Sequence, residues 1–154
     1  MADPAVLFVC LGNICRSPLA EAAFRHEATL AGLSVIADSA GTADYHIGEP
    51  PDPRAIRTAA SFGVDIGGLR GRQVGPADFA RFTHIFAADR ANLRNLQRIA
   101  PAGHAAQVAL LLDLVPGRAG QDLADPWYGD EAGFLDTWAD VSAAARSLTK
   151  ILTA

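Results

Sequence analysis

The chain has 154 residues, half of them hydrophobic, a formal net charge of −4 and a pI near 5.4. That length suits one domain, 1–154, with enough apolar content for a real core, and its scattered basic residues make neither nucleic acid nor an anionic membrane surface an evident partner. Two cysteines, Cys10 and Cys15, provide no disulfide framework and no four-ligand zinc set, so no metal and no cofactor is expected.

Ala5 to Val9 is a short apolar, β-branched run, which reads as a strand buried on both faces, and it ends at Cys10. Before it, Met1-Ala2-Asp3-Pro4 has no basic region, and the apolar run stops at Gly12. That is too short for a signal peptide or a membrane span, so a soluble, cytoplasmic protein is expected. Gly12 and Asn13 tolerate left-handed backbone angles, and Ser17-Pro18 suits the cap and first position of a helix. Helical spacing through Leu19, Ala20, Ala23, Phe24, Ala28, Leu30 and Ala31 predicts a helix from about Ser17 to Ala31, with Gly32 as its C-cap.

Ser34 to Ser39 reads as a second strand, followed by Ala40-Gly41-Thr42 and a polar loop carrying Tyr45, His46 and Gly48. A second helix fits Pro53 to Phe62, with Ile56, Ala59 and Ala60 on one face and Gly63 ending it. The following loop, 67–75, is rich in Gly and Arg but follows no strand and lacks dinucleotide-binding spacing. No Walker lysine occurs either, which removes a nucleotide-binding reading. Thr83 to Ala88 is strand three, Asn92 to Ile99 a helix with Leu93 and Leu96 inward, and Gln107 to Leu112 strand four. A long polar loop, Pro116 to Asp130, leads to a terminal helix, Glu131 to Leu152. Its apolar stripe is Phe134, Leu135, Trp138, Val141, Ala145, Leu148, Ile151 and Leu152. The four histidines, His26, His46, His84 and His104, have no ligand spacing. Repeated βα units with right-handed crossovers predict an α/β fold, a parallel sheet with helices on both faces.

The chemistry concentrates after the first strand, where Cys10 and Arg16 form a C-x5-R pattern followed directly by Ser17. The loop stands at a helix N-terminus, where unpaired N–H groups and the positive end of the dipole favour an anion, so a phosphate site is expected. Five intervening residues, Leu11, Gly12, Asn13, Ile14 and Cys15, can curl so that their amides converge above the thiol while the guanidinium closes the ring. Arg is the fitting cation because its planar fork bonds two phosphate oxygens at once. Helix N-termini and neighbouring cations make a thiol ionise readily, and a thiolate aimed at phosphorus is a nucleophile. Asp125, in a loop stiffened by Pro126 and flanked by Trp127 and Tyr128, is a candidate acid. On its own residues it reads more readily as an ordinary solvated loop aspartate before proline.

The run Val9-Cys10-Leu11-Gly12-Asn13-Ile14-Cys15-Arg16-Ser17-Pro18-Leu19-Ala20-Glu21 resembles the signature of the low-molecular-weight protein tyrosine phosphatases. The similarity continues, in the family's order, through Asp38-Ser39-Ala40-Gly41-Thr42, Pro51-Asp52-Pro53-Arg54, Asp89-Arg90-Ala91-Asn92-Leu93 and Asp125-Pro126-Trp127-Tyr128-Gly129-Asp130. The resemblance implies a four-stranded sheet with the first strand in its middle. It also implies a nucleophile at Cys10, a phosphate-binding Arg16 and a general acid at Asp125. A phosphotyrosine protein or small aryl phosphate is then the expected substrate, and inorganic phosphate or another oxyanion is expected to occupy the loop. Ser17 is expected to donate to the Cys10 sulfur, Asn13 to hold the loop's shape and Ser39 to support it. Tyr45 and Trp127 are the expected slot walls, with Leu11 and Ile14 as smaller contacts and Tyr128 as a further one. Cys15, sharing the loop, is expected to capture oxidised Cys10 as a disulfide. Leu69 departs from the family, standing where a histidine is common. Two rivals remain. A thiol-dependent arsenate reductase of the same fold needs cysteines downstream of Cys15, and none occur. A non-catalytic phosphoprotein-binding module is expected to lack Cys10 or Asp125.

Overall fold

The computed structural model describes residues 3–154. Its centre is the strand β1 (Ala5–Cys10), whose six residues are all buried because it is covered on both faces and flanked on both edges. β2 (Ile36–Gly41) lies on one side and β3 (His84–Ala87) on the other, with β4 (Gln107–Leu110) outside β3; the order is β2-β1-β3-β4 and every pairing is parallel. The register pairs Cys10 with Gly41 and Val9 with Ala87, so the carboxyl ends of three strands finish together. Ligands of parallel α/β sheets gather at that edge.

Alternation along β1 divides the core. Val6, Phe8 and Cys10 face the helices α1 (Arg16–Leu30), α2 (Pro53–Ser61) and α5 (Glu131–Thr153), whereas Ala5, Leu7 and Val9 face α3 (Asp78–Arg81) and α4 (Arg90–Ile99). Helices therefore cover both faces, as the βα pattern predicts. On the first side Phe24 meets Phe8 edge-on at 5.8 Å between ring centres, and α5 lies along α1 with Phe134, Val141 and Leu148 fully buried. Among the described residues no helix is long and apolar enough to cross a membrane.

Several local expectations are corrected. The second strand begins two residues later than predicted and runs on to Gly41, because Ile36 N–H bonds Pro4 O and the ladder beside β1 continues to Cys10. The first helix starts at Arg16 with Cys15 as its cap, so Ser17 is its second residue and not the cap. Gly32, at φ +67°, follows the C-cap Ala31. Strand four stops at Leu110, and Leu111–Leu114 tightens into a 3₁₀ turn. The short α3 has no periodic signal long enough to read. Ala60, Leu135 and Ile151 face solvent, since α2 and α5 each bury a narrower face than the apolar positions suggest.

One buried charge has a cost. Glu21, 1% exposed on α1, accepts from Arg25 Nε at 2.9 Å through Oε2, while Oε1 has no hydrogen-bond partner among the described residues. Burial raises its carboxyl above the ordinary value despite the Arg25 hydrogen bond. The folded chain then holds this proton more tightly than the unfolded one. Glu21 therefore detracts from stability as pH climbs from about 4.3, the unfolded carboxyl value, through the folded one. In urea unfolding, Glu21→Gln should gain stability relative to wild type between pH 4 and 7.5. A difference independent of pH would contradict the linkage.

Candidate active site

β1 ends at Cys10 and α1 begins at Arg16, so the intervening loop must turn within five residues at the carboxyl edge of the sheet. It does so through Asn13, which adopts φ +58°, the one positive φ of a non-glycine among the described residues. Asparagine tolerates this region better than most side chains. The turn aims Asn13 N–H at the Cys10 Sγ, 3.3 Å away.

Asn13 then fixes where other protons go. Its Oδ1 accepts the Arg72 backbone N–H at 3.0 Å, which assigns the amide orientation, so Nδ2 donates to Ser17 Oγ at 2.8 Å and to Ser39 Oγ at 3.0 Å. Since Ser17 Oγ accepts from Asn13, its own hydrogen is directed to Cys10 Sγ at 3.1 Å, with Ala40 O a longer alternative at 3.4 Å. This is why Ser17 does not cap α1. The sulfur thus receives a hydroxyl and an amide, the arrangement that stabilises negative charge on it.

Arg16 closes the loop from beneath the surface, 4% exposed. Its Nη1 donates to Asp89 Oδ2 at 2.9 Å and to Leu123 O at 3.0 Å, while Nη2 lies 3.6 Å from Asp125 Oδ2. Burial opposes the Arg16 charge. The Cys10 sulfur, Asp89 and Asp125 nonetheless raise its pKa above the ordinary value, so the guanidinium stays charged. Asp125 is aimed by its own turn: Oδ1 accepts Trp127 N–H at 3.1 Å at the start of a 3₁₀ turn, Pro126–Tyr128, leaving Oδ2 toward Arg16 and the cleft.

The cleft encloses about 240 Å³. Cys10, Cys15 and Arg16 lie at its base, Leu11 and Ile14 along it, and Tyr45, Trp127 and Tyr128 at its rim with Asp125. Cys15 differs sharply from Cys10. No hydrogen bond reaches its Sγ among the described residues, and burial, then the Asp52 carboxylate and the Cys10 sulfur, push its thiol far above the ordinary range. It is a neutral thiol beside the charged apparatus.

A family model described as "Low molecular weight phosphotyrosine protein phosphatase" matches residues 5–154. The chain belongs to this family. Curated relatives include a "Low molecular weight protein-tyrosine-phosphatase" of Streptomyces coelicolor, 45% identical over 93% of this chain and 90% of its own length, and a "Low molecular weight phosphotyrosine protein phosphatase" of Schizosaccharomyces pombe, 43% identical over 86% of each. Among solved structures, a protein tyrosine phosphatase from *Entamoeba histolytica* with Hepes in its active site superposes with a TM-score of 0.92. Its sequence is 34% identical, and the match covers 98% of this chain and 97% of that one.

Within this phosphatase-family fold, two participants, Asp89 and Arg72, carry no signal in the local sequence, whereas His46 belongs to the Asp44-Tyr45-His46 stretch that follows the second strand and is expected to border the site. Asp89 holds Arg16 while its other oxygen caps α4 by accepting Asn92 N–H at 2.8 Å; the sequence shows only an aspartate ending a strand. Arg72 acts through its backbone N–H, which no side-chain pattern reports. His46 lines the cleft, edge-on to Tyr45, and its ring lies 3.1 Å from where a Cβ on Gly12 would sit. Its carbonyl would be 2.4 Å from a Cβ on Gly71, so glycine there lets the Tyr45 loop sit down on the site. Leu69 is half-buried and packs against the core, and the support for Asn13 Oδ1 comes from Arg72 three residues on.

Proposed function

We propose that residues 1–154 act as a single phosphatase domain that hydrolyses phosphotyrosine in proteins and small aryl phosphate monoesters through a phosphocysteine intermediate. The observation that carries this reading is the disposition of Cys10, Arg16 and Asp125. The sulfur carries two hydrogen-bond donors at the base of the cleft, the guanidinium is beside it, and a carboxylate faces both. A binding module has no use for the nucleophile and the opposed carboxylate together. An arsenate reductase would need cysteines after Cys15, which the sequence does not supply.

In this mechanism the Arg16 guanidinium and the amides of Leu11, Gly12, Ile14, Cys15 and Arg16 hold the non-bridging oxygens, where transition-state charge resides, while the Asn13 N–H stays on the sulfur. The same cradle accepts inorganic phosphate and other oxyanions, and the sulfonate Hepes in the *Entamoeba* structure is of that charge class. Cys10 attacks phosphorus in line while Asp125 protonates the departing phenol oxygen. Asp125 then takes a proton from water, which releases phosphate and restores the thiolate. Ser17 eases that departure by donating to the sulfur. Tyr45 and Trp127 form the walls of an aryl slot, with Tyr128 at its rim; such a slot selects phosphotyrosine because the shorter phosphoserine would leave its phosphate short of the sulfur. The chemistry requires reduced cysteines, which supports a cytoplasmic location.

In chelator, Cys10→Ser should abolish aryl phosphatase activity yet still bind phosphate or vanadate. Arg16→Lys should lose roughly a hundredfold in rate as the bidentate contact goes. Near-wild-type turnover in the first, or a loss below about fivefold in the second, overturns those roles. Asp125→Asn should lose much more kcat with phosphotyrosine than with nitrophenyl phosphate. An unchanged dependence on leaving-group pKa would remove Asp125 as the acid. Finally, Cys15 lines the same cleft as Cys10, which supports its capture of a sulfenic acid on Cys10: once deprotonated, the Cys15 sulfur attacks the Cys10 sulfur, forming the disulfide and releasing hydroxide as water. After peroxide and then reductant, wild type should recover activity while Cys15→Ser recovers poorly. Equal recovery would return Cys15 to a packing role.

A further inference from the structure

Arg54 is oddly placed for a helix. Asp52 caps α2, Pro53 takes the first position, and Arg54 puts a positive charge in the first turn, where the dipole disfavours it. Asp52 offsets this locally: its Oδ1 accepts Arg54 N–H at 2.8 Å, and the guanidinium forks onto both of its oxygens, Nε to Oδ1 at 3.0 Å and Nη2 to Oδ2 at 2.9 Å. The far side of the same guanidinium leaves the helix altogether. Nη1 donates to Gly129 O at 3.1 Å, and both terminal nitrogens lie 3.5 Å from Trp127 O. The guanidinium carbon lies 5.3 Å from the Trp127 ring centre and 4.7 Å from that of Phe134.

These contacts join the two halves of the site. Asp52 N–H bonds Ile14 O at 2.9 Å, which fastens the start of α2 to the phosphate loop. Trp127, whose carbonyl faces Arg54, donates its own N–H to Asp125. The acid-bearing segment is anchored at its beginning by Leu123, whose N–H bonds Ala88 O at 2.8 Å. Beyond that point, among the described residues, the hydrogen bonds that reach residues 124–129 from outside the segment all come from Arg54, beside the longer ion-pair contact of Arg16 with Asp125 at 3.6 Å; at the far end Gly133 N–H bonds Asp130 O where α5 begins. A second tie, the ion pair of Arg57 with Glu131, is exposed and lies one turn into the neighbouring helices.

We propose that Arg54 is the positioning residue of the general acid: by spanning Asp52 and the carbonyls of Trp127 and Gly129, it fixes the distance between the phosphate loop and Asp125. This rests on the reading of Asp125 as the acid. Arg54 does not line the cleft, so its effect on the reaction passes through the acid segment. The span calls for a planar fork with donors on two edges. A lysine ammonium has the charge without that geometry.

The test is kcat/KM, which covers the steps through release of the phenol, across aryl phosphates of increasing leaving-group pKa. It is measured for wild type, Arg54→Gln, Arg54→Lys, Asp125→Asn and the double variant Arg54→Gln/Asp125→Asn. Arg54→Gln should steepen the dependence, losing roughly ten- to hundredfold with the poorest leaving groups and under about threefold with the best. Arg54→Lys should fall between Arg54→Gln and wild type. Inhibition by inorganic phosphate should be unchanged, because the cradle does not include Arg54. In the Asp125→Asn background, Arg54→Gln should cost almost nothing further. A uniform loss across the series, a weakened phosphate inhibition with an unchanged slope, or full additivity in the double variant overturns the proposal. If Arg54→Gln fails to fold, the Arg54→Lys slope decides alone. An Asp125→Asn slope equal to that of wild type rejects the acid assignment itself, and any positioning of that acid with it.

Discussion

A guanidinium withdrawn from water has to be matched on every side, and Arg16 sets that demand at the centre of this molecule. At 4% exposure it draws together groups from distant parts of the chain: Asp89 from the end of β3, the Leu123 carbonyl, and Asp125. Leaving this buried charge with no partner would cost roughly 3–5 kcal/mol; Asp89 and Asp125, 22% and 28% exposed, share that role between them. The convergence of strand ends at the carboxyl edge of the sheet is therefore enforced by charge as well as by packing. The cleft above inherits a cation that is already paid for in the folded state and needs no reorganisation when an anion arrives.

A second constraint is one of direction. Asn13 has one acceptor and two hydrogens to place, and once Arg72 N–H occupies the acceptor, both serine oxygens must receive. The Ser17 hydrogen is then left to the sulfur. A backbone residue in an uncommon conformation thereby determines the polarity of a chain of side chains leading to Cys10. The neighbouring cysteine has the opposite surroundings, with burial, a nearby carboxylate and, among the described residues, no donor, so two thiols of one loop differ in what their contacts favour.

Much of this was legible in the sequence where the cause is local. The apolar run of β1, the Gly-Asn turn, the C-x5-R spacing and the βα alternation each depend on residues a few positions apart, and the fold contains the strand, the positive-φ Asn13 and the parallel sheet that three of them predict. What escaped depends on partners far away in sequence. Asp89 meets Arg16 across 73 residues and Asn13 meets Arg72 across 59, and no window over the chain joins them. Ser17-Pro18 is a good helix start by local rules, yet the Cys10 sulfur and Asn13 claim the hydroxyl and the helix begins earlier. Leu135 and Ile151 fit the apolar stripe of α5, but the neighbouring helices do not extend over them.

The position of β1 inside the sheet separates two tiers of rigidity. Cys10 terminates a strand paired along both edges, so disturbing its loop at the base means opening two ladders, an event close to global unfolding. The acid segment belongs to no ladder; it hangs from Leu123 at one end and from a few polar contacts at the other. The contacts that hold the acid segment can thus open without opening either ladder, which leaves the anion cradle whole. In that arrangement Arg16 and the loop amides stay in place for an anion while the carboxylate beside them is withdrawn. Catalysis and mere capture are, in this architecture, two levels of order in one fold.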